Sequence, residues 1–270
     1  MRKQNGRPIG VFDSGLGGLT VVKELTKILP HEDIVYLGDT ARVPYGPRGG
    51  ETIRHFSEEN TKFLISKNVK AVVIACNTSS AVAADYIKDK FNNIPIFEVI
   101  ESASREASKK GKRIGVIGTY ATVGSLAYPK KISKYAPSAS VFGVSCPLFV
   151  PFIEEGEIES LSLRIVAKKY LRKLKERKID TLILGCTHYP IIKYIIGREV
   201  GKKVNLINPG KSIAGEISLF LKENDLLNGQ KAVGDIKFFV TDMTDRFTKM
   251  AEMFLGKRIS GSIEKVDLQK

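Results

Sequence analysis

The chain has 270 residues, of which 43% are hydrophobic and 3 are cysteines, and its formal net charge is +14. That length and apolar content supply one large or two medium cores, and no run approaches the roughly 18 consecutive apolar residues of a membrane span. An odd number of thiols argues against a disulfide framework, and the basic start from Met1 to Pro8 leads into a short strand rather than a signal-peptide apolar core, so a cytoplasmic enzyme is expected.

Strand-like and helix-like runs alternate along the chain. Ile9–Phe12 predicts a strand, followed by a helix from about Gly18 to Leu29 with Val21, Val22, Leu25, Ile28 and Leu29 on one face. Asp33–Leu37 reads as a strand, Thr52–Lys67 as a helix, and Ala71–Cys76 as a buried strand. A helix from about Ser79 to Phe91 and a strand at Pro95–Val99 follow. Cys146 reads as a small buried residue. The densest basic stretch, Lys168 to Lys178, has Ile165, Val166, Leu171 and Leu174 at helical spacing, which predicts an amphipathic helix with a solvated basic face. A second buried strand runs from Thr181 to Cys186. Pro209-Gly210 marks the entry to a last segment with a helix (Ser212–Lys222), a strand (Ile236–Val240) and a helix (Thr244–Phe254).

Such alternation argues for parallel strands joined by helical crossovers. There is also an internal echo: Pro8-Ile9-Gly10-Val11-Phe12-Asp13-Ser14 resembles Arg113-Ile114-Gly115-Val116-Ile117-Gly118-Thr119. The two cysteine strands fall at comparable positions after those openings. Two similar α/β halves facing each other, with the ligand pocket between them, are therefore expected.

Cys76 and Cys186 carry the chemistry in this pattern. Ligands of open α/β sheets bind just beyond the carboxyl ends of strands, and each thiol stands at such an end, followed by small polar residues. A thiol can act as a proton-transfer group because its pKa is readily tuned. Two thiols on opposite sides of one substrate can remove a proton from one face and return one to the other, which is racemisation without a cofactor. A helix starting near Ser79 would point its positive end at Cys76. His188 can exchange a proton with Cys186 or stabilise its thiolate. Asp13 is either a helix cap or an acid/base group. The Asp13-Ser14-Gly15-Leu16-Gly17-Gly18 turn is spaced wrongly for a dinucleotide fingerprint, since Thr20 stands at the third glycine position. Cys and His are also zinc ligands, but the paired spacing of structural zinc is missing. The net charge raises a nucleic-acid binder as a competing class; it leaves the paired thiols unexplained.

Four blocks together resemble the glutamate racemase family: Asp13-Ser14-Gly15-Leu16-Gly17-Gly18, Gly38-Asp39-Thr40-Ala41-Arg42 to Tyr45-Gly46, Ala75-Cys76-Asn77-Thr78, and Gly185-Cys186-Thr187-His188-Tyr189-Pro190. The resemblance implies two doubly wound α/β domains with mainly parallel sheets, related by a pseudo-twofold axis around a cleft. They would span 1–98 plus 208–270, and 99–207. It implies a two-base mechanism without cofactor or metal: Cys76 acting on the D-isomer, Cys186 on the L-isomer, Asp13 assisting Cys76, and His188 with Glu154 assisting Cys186. Ser14, Tyr45, Gly46, Asn77, Thr78, Thr187 and His188 would join Asp13 in contacting substrate. His188 favours glutamate, because aspartate-specific relatives more often carry Glu after Cys-Thr; an aspartate or other amino-acid racemase is the alternative. A homodimer supplying D-glutamate for peptidoglycan is implied, with no membrane or nucleic-acid partner. Two departures stand out: Ser79 where Ala is common, and Asn208-Pro209-Gly210 in place of an Asp-Ser pair.

Overall fold

Strands β1 (Ile9–Asp13), β2 (Ile34–Gly38) and β3 (Ala71–Ile74) are buried at every position, the mark of parallel strands covered on both faces. The computed structural model describes residues 6–244, 247–259 and 262–268. Helices α1 (Leu19–Ile28), α2 (Gly50–Ser66) and α3 (Asn77–Lys90) connect these strands and lead to β4 (Ile96–Glu98). Then come α4 (Val99–Lys110), β5 (Arg113–Gly118), α5 (Tyr120–Gly124), α6 (Ala127–Tyr135), β6 (Ser140–Ser145), α7 (Phe149–Glu154) and α8 (Leu161–Glu176). Strand β7 (Thr181–Gly185), a 3-10 turn (Tyr189–Ile192), α9 (Lys193–Val200) and β8 (Asn205–Ile207) follow, and the chain closes with α10 (Pro209–Glu223), β9 (Ile236–Val240), α11 (Phe247–Leu255) and β10 (Ile263–Lys265).

Two sheets result, one ordered β10-β9-β2-β1-β3-β4 and the other β6-β5-β7-β8, and every pairing is parallel. Within each, the first four strands of that half stand in the same order: second, first, third, fourth. The internal echo therefore reflects a repeated topology. Each sheet reverses its winding beside its first strand, between β1 and β3 and between β5 and β7. The carboxyl ends at such reversals are where open α/β sheets bind ligands.

The chain passes between the sheets twice, from β4 into α4 and from β8 into α10. These two helices pack together, and they are tied by Ser102 Oγ donating to Glu216 at 2.7 Å and Ser212 Oγ donating to Glu106 at 2.6 Å. A further bond joins the halves: Tyr128 on α6 donates its hydroxyl to Asn77 Oδ1 on α3 at 2.7 Å, with both residues buried. Among the described residues no helix is long and apolar enough to cross a membrane.

Several expectations shift in detail. Helix α3 begins at Asn77 rather than near Ser79, because Cys76 itself caps it. Helix α10 begins at Pro209 rather than Ser212, so Pro209 and Gly210 are its first residues, and Asn208 Oδ1 caps it through Gly210 N at 3.0 Å. Helix α8 buries Leu163, Ala167, Leu171 and Leu174, while Ile165 is exposed. Leu171 and Leu174 lie on the expected apolar stripe, which continues through Leu163 and Ala167 rather than Ile165, and Lys168, Lys169, Arg172, Lys173 and Lys175 face solvent. The start of the last expected helix, at 245–246, lies outside the described residues. Strand β10 was not anticipated; three half-exposed edge residues carry no periodic signal.

Tyr128→Phe keeps the ring but leaves Asn77 Oδ1 without its donor. We expect a loss of about 1–3 kcal/mol of stability, read as a lower urea midpoint at unchanged slope.

Candidate active site

Two turns from the first half and two from the second converge at these strand ends. Asp13, the last residue of β1, is buried, and its carboxylate accepts from Gly15 N at 3.1 Å and from the Gly18 N–H. It therefore does serve the helix-entry turn, but it also reaches the other half, where Thr187 Oγ1 donates to Asp13 Oδ1 at 3.5 Å. The turn is held by Tyr36, whose hydroxyl donates to Gly15 O at 2.6 Å. Gly17 has no room for a side chain: a Cβ there would lie 2.2 Å from Thr187 Oγ1 and 2.6 Å from His188 Nδ1.

Cys76 sits just beyond β3. Its sulfur accepts from Ser79 N at 3.5 Å and donates to Ser14 Oγ at the same distance. The helix N-terminus favours a thiolate, yet burial and then the negative charge of Asp13 win, and the Cys76 thiol is pushed up from 9.0 to about 11. Burial likewise raises the Asp13 carboxyl, opposed by the His188 charge, the Gly18 and Gly15 N–H groups and Thr187.

Cys186 follows β7 in a different electrostatic setting. Its Sγ lies 3.8 Å from His188 Nδ1, and His188 Nε2 lies 2.9 Å from Glu154 Oε1 at the end of α7. Burial pulls the imidazole down, but its bonds to Cys186 and Glu154 outweigh burial and lift it from 6.5 to about 10. Cys186 and Glu154 together thus favour the protonated imidazole beside the second sulfur. The ring of Phe254 on α11 meets it edge-on at 4.9 Å. Pro190 is the second residue of the 3-10 turn that follows, where its fixed φ and missing N–H are tolerated.

The other expected residues gather around this pair. Thr78 Oγ1 lies 3.0 Å from Thr119 Oγ1 and 3.5 Å from Thr122 Oγ1, across the two halves. Asn77, Cys186 and Thr187 line one common gap. Gly46 lies against Thr119, which a Cβ would approach to 3.1 Å. Tyr45 packs with Cys76, but its hydroxyl is already engaged: it donates to Asp39 and accepts from Asn60 Nδ2 at 3.1 Å. Asp39 also accepts from Arg42 Nε at 2.7 Å and Thr241 Oγ1 at 2.9 Å, so it anchors the loop that carries Tyr45 and Gly46. Cys146 is fully buried, its thiol pushed far up by burial.

Thr119, Thr122, Tyr128 and Phe254 join the site without a motif to mark them, and Asp39 stands inside one of the four sequence blocks as an anchor of its loop. The echo that pairs Ser14 with Thr119 is a signal for the first; Thr122, Tyr128 and Phe254 depend on contacts between segments far apart in the chain.

A family model described as Asp/Glu/Hydantoin racemase matches residues 9–217, which include both thiols and all four convergent turns. The chain belongs to this family. It is 41% identical over 265 residues to the glutamate racemase of Geobacter metallireducens, with 97% of each chain covered. It is 44% identical over 264 residues to that of Neisseria meningitidis, again with 97% of each covered. Among solved structures it is similar to glutamate racemase from Francisella tularensis in complex with D-glutamate, with TM-score 0.93, 44% identity and 98% of each chain covered. The two thiols differ sharply in their surroundings, one beside the Asp13 carboxyl and the other beside the His188 imidazole.

Because His188 is raised, its protonation stabilises the fold most below pH 6.5, and that contribution fades as pH rises through about 10. Replacing Glu154 by Gln removes one raising partner. We expect the His188 titration midpoint, followed by NMR of the imidazole, to fall by on the order of 1 pH unit.

Proposed function

We propose that this chain is a glutamate racemase that moves the α-proton between two thiols, Cys76 and Cys186, without a cofactor. The observation that carries this reading is the repeated topology: each thiol stands at the winding reversal of its own sheet, and Asp13 acts on both sides, by bonding Thr187 and by its charge on Cys76. The substrate is drawn from the relatives, which are named glutamate racemases, one of them in complex with D-glutamate.

In this mechanism the Cys76 thiolate removes the α-proton of D-glutamate while the Cys186 thiol gives a proton to the opposite face. One C–H bond breaks and one forms, and the two sulfurs exchange protonation states. L-glutamate runs the same steps in reverse. Asp13 assists Cys76, and His188, oriented by Glu154, assists Cys186. The carbanionic intermediate is reachable only if charge developing on the carboxylate is neutralised. Hydroxyl and N–H groups of Ser14, Gly46, Asn77, Thr78 and Thr187 are the donors we assign, with Thr119 and Thr122 added by their contact with Thr78. The Tyr45 hydroxyl is committed to Asp39, so its contribution would come through the backbone or the ring. A substrate ammonium beside Cys76 would draw the raised thiol back towards thiolate.

The crossings into α4 and α10 support division of the chain into 1–98 with 208–270, and 99–207. The same reading makes the enzyme a cytoplasmic homodimer supplying D-glutamate for peptidoglycan.

The test is turnover of L- and D-glutamate in D₂O without added cofactor, for the wild type, Cys76→Ala and Cys186→Ala. Interconversion with deuterium at the α-carbon, and loss of at least a thousandfold in either variant, is expected, since each removes a proton-transfer group. Activity on L-aspartate in place of glutamate would reassign the substrate. Turnover surviving in either cysteine variant would overturn the two-thiol mechanism.

A further inference from the structure

Cys76 caps α3, and Ser79 is the third residue of that helix. A side chain at this position leans back over the cap, because each Cα–Cβ bond of a helix tilts towards its N-terminus. Here the cap is a thiol, so the Ser79 side chain leans towards the sulfur that its own N–H already meets at 3.5 Å. Ser79 is fully buried, and its hydroxyl makes no hydrogen bond of good geometry among the described residues. A buried hydroxyl left in that state is costly, and alanine would fill the site without the cost. The next residue shows what a purely structural hydroxyl does in this turn: Ser80 donates to Ile74 O at 3.2 Å.

We propose that Ser79 is a further catalytic residue, whose hydroxyl turns to donate to Cys76 Sγ when that sulfur is ionised. The thiolate then receives the Ser79 N–H, the Ser79 O–H and the Ser14 O–H. In the thiol form the sulfur accepts weakly, and the hydroxyl stays unmatched. Charge-assisted bonds are the stronger kind, so the donor acts in the state in which Cys76 takes a proton. The Ser79 hydroxyl is already among the groups holding the Cys76 thiol down against burial and Asp13. The other titratable groups facing Cys76 are Asp13 from β1, Tyr36 from β2 and Tyr45 from the following loop, and a change at Ser79 leaves all three in place.

The inference rests on Cys76 being one of the two bases. The test is Ser79→Ala, with Ser80→Ala as the structural control and Cys76→Ala alongside. Enantiomers have equal free energy, so kcat/KM changes equally in both directions, and the side of the defect must be read from isotope effects. For Ser79→Ala we expect the acid limb of the kcat/KM profile to move up by about 1 pH unit, and kcat/KM at pH 7 to fall about tenfold. The primary isotope effect should rise with α-deuterated D-glutamate and not with the L-isomer, and Tm should be unchanged or higher. Ser80→Ala should leave the profile in place. A Ser79→Ala profile and isotope effects matching wild type, with Cys76→Ala inactive, would sink this inference alone. An active Cys76→Ala would instead remove the mechanism beneath it.

Discussion

The two halves meet at backbone distance where Gly17 passes under Thr187 and His188, and the site depends on that closeness. Any side chain at Gly17 would overlap Thr187 Oγ1 at 2.2 Å. Because the glycine is bare, Asp13 at the end of β1 reaches Thr187 after β7, and its charge is felt by both His188 and Cys76. A methyl group at Gly17 would push Thr187 and His188 away from the first half. Electrostatic effects between buried groups such as these exceed those in water several-fold.

That closeness makes the two thiols unequal. Cys76 has an anion for a neighbour and a helix N-terminus behind it, and burial outweighs the helix. Cys186 has the imidazole of His188 beside it, tethered by Glu154. On the proposed mechanism the two bases hold opposite protonation states at any moment, and Asp13 on one side and His188 on the other bias them in that way. The hydroxyls of Ser14 and Ser79 then supply to Cys76 part of what His188 supplies to Cys186.

Much of this was legible from residue order. The buried runs at Ile9, Ala71 and Thr181 could be little else than parallel strands, since they are apolar without alternation. The thiols after two of them were conspicuous because polar residues follow at once. Ile165 illustrates the opposite case. Its spacing fitted the helix, but the face that packs is set by which neighbours α8 meets, namely α9, β6 and α7.

The sequence by itself determined the α/β class, the repeat of two halves and the identity of the residues at the strand ends. All of these follow from local periodicity and from short polar turns. Only the tertiary structure decided that Asp13 bonds Thr187, that the Tyr45 hydroxyl is spent on Asp39, that Tyr128 supports Asn77, and that the buried Ser79 hydroxyl makes no hydrogen bond of good geometry among the described residues. Those contacts join residues whose separation along the chain bears no relation to their distance in space, or depend on what burial leaves unmatched. They come into being only when both sheets are packed and water is excluded between them.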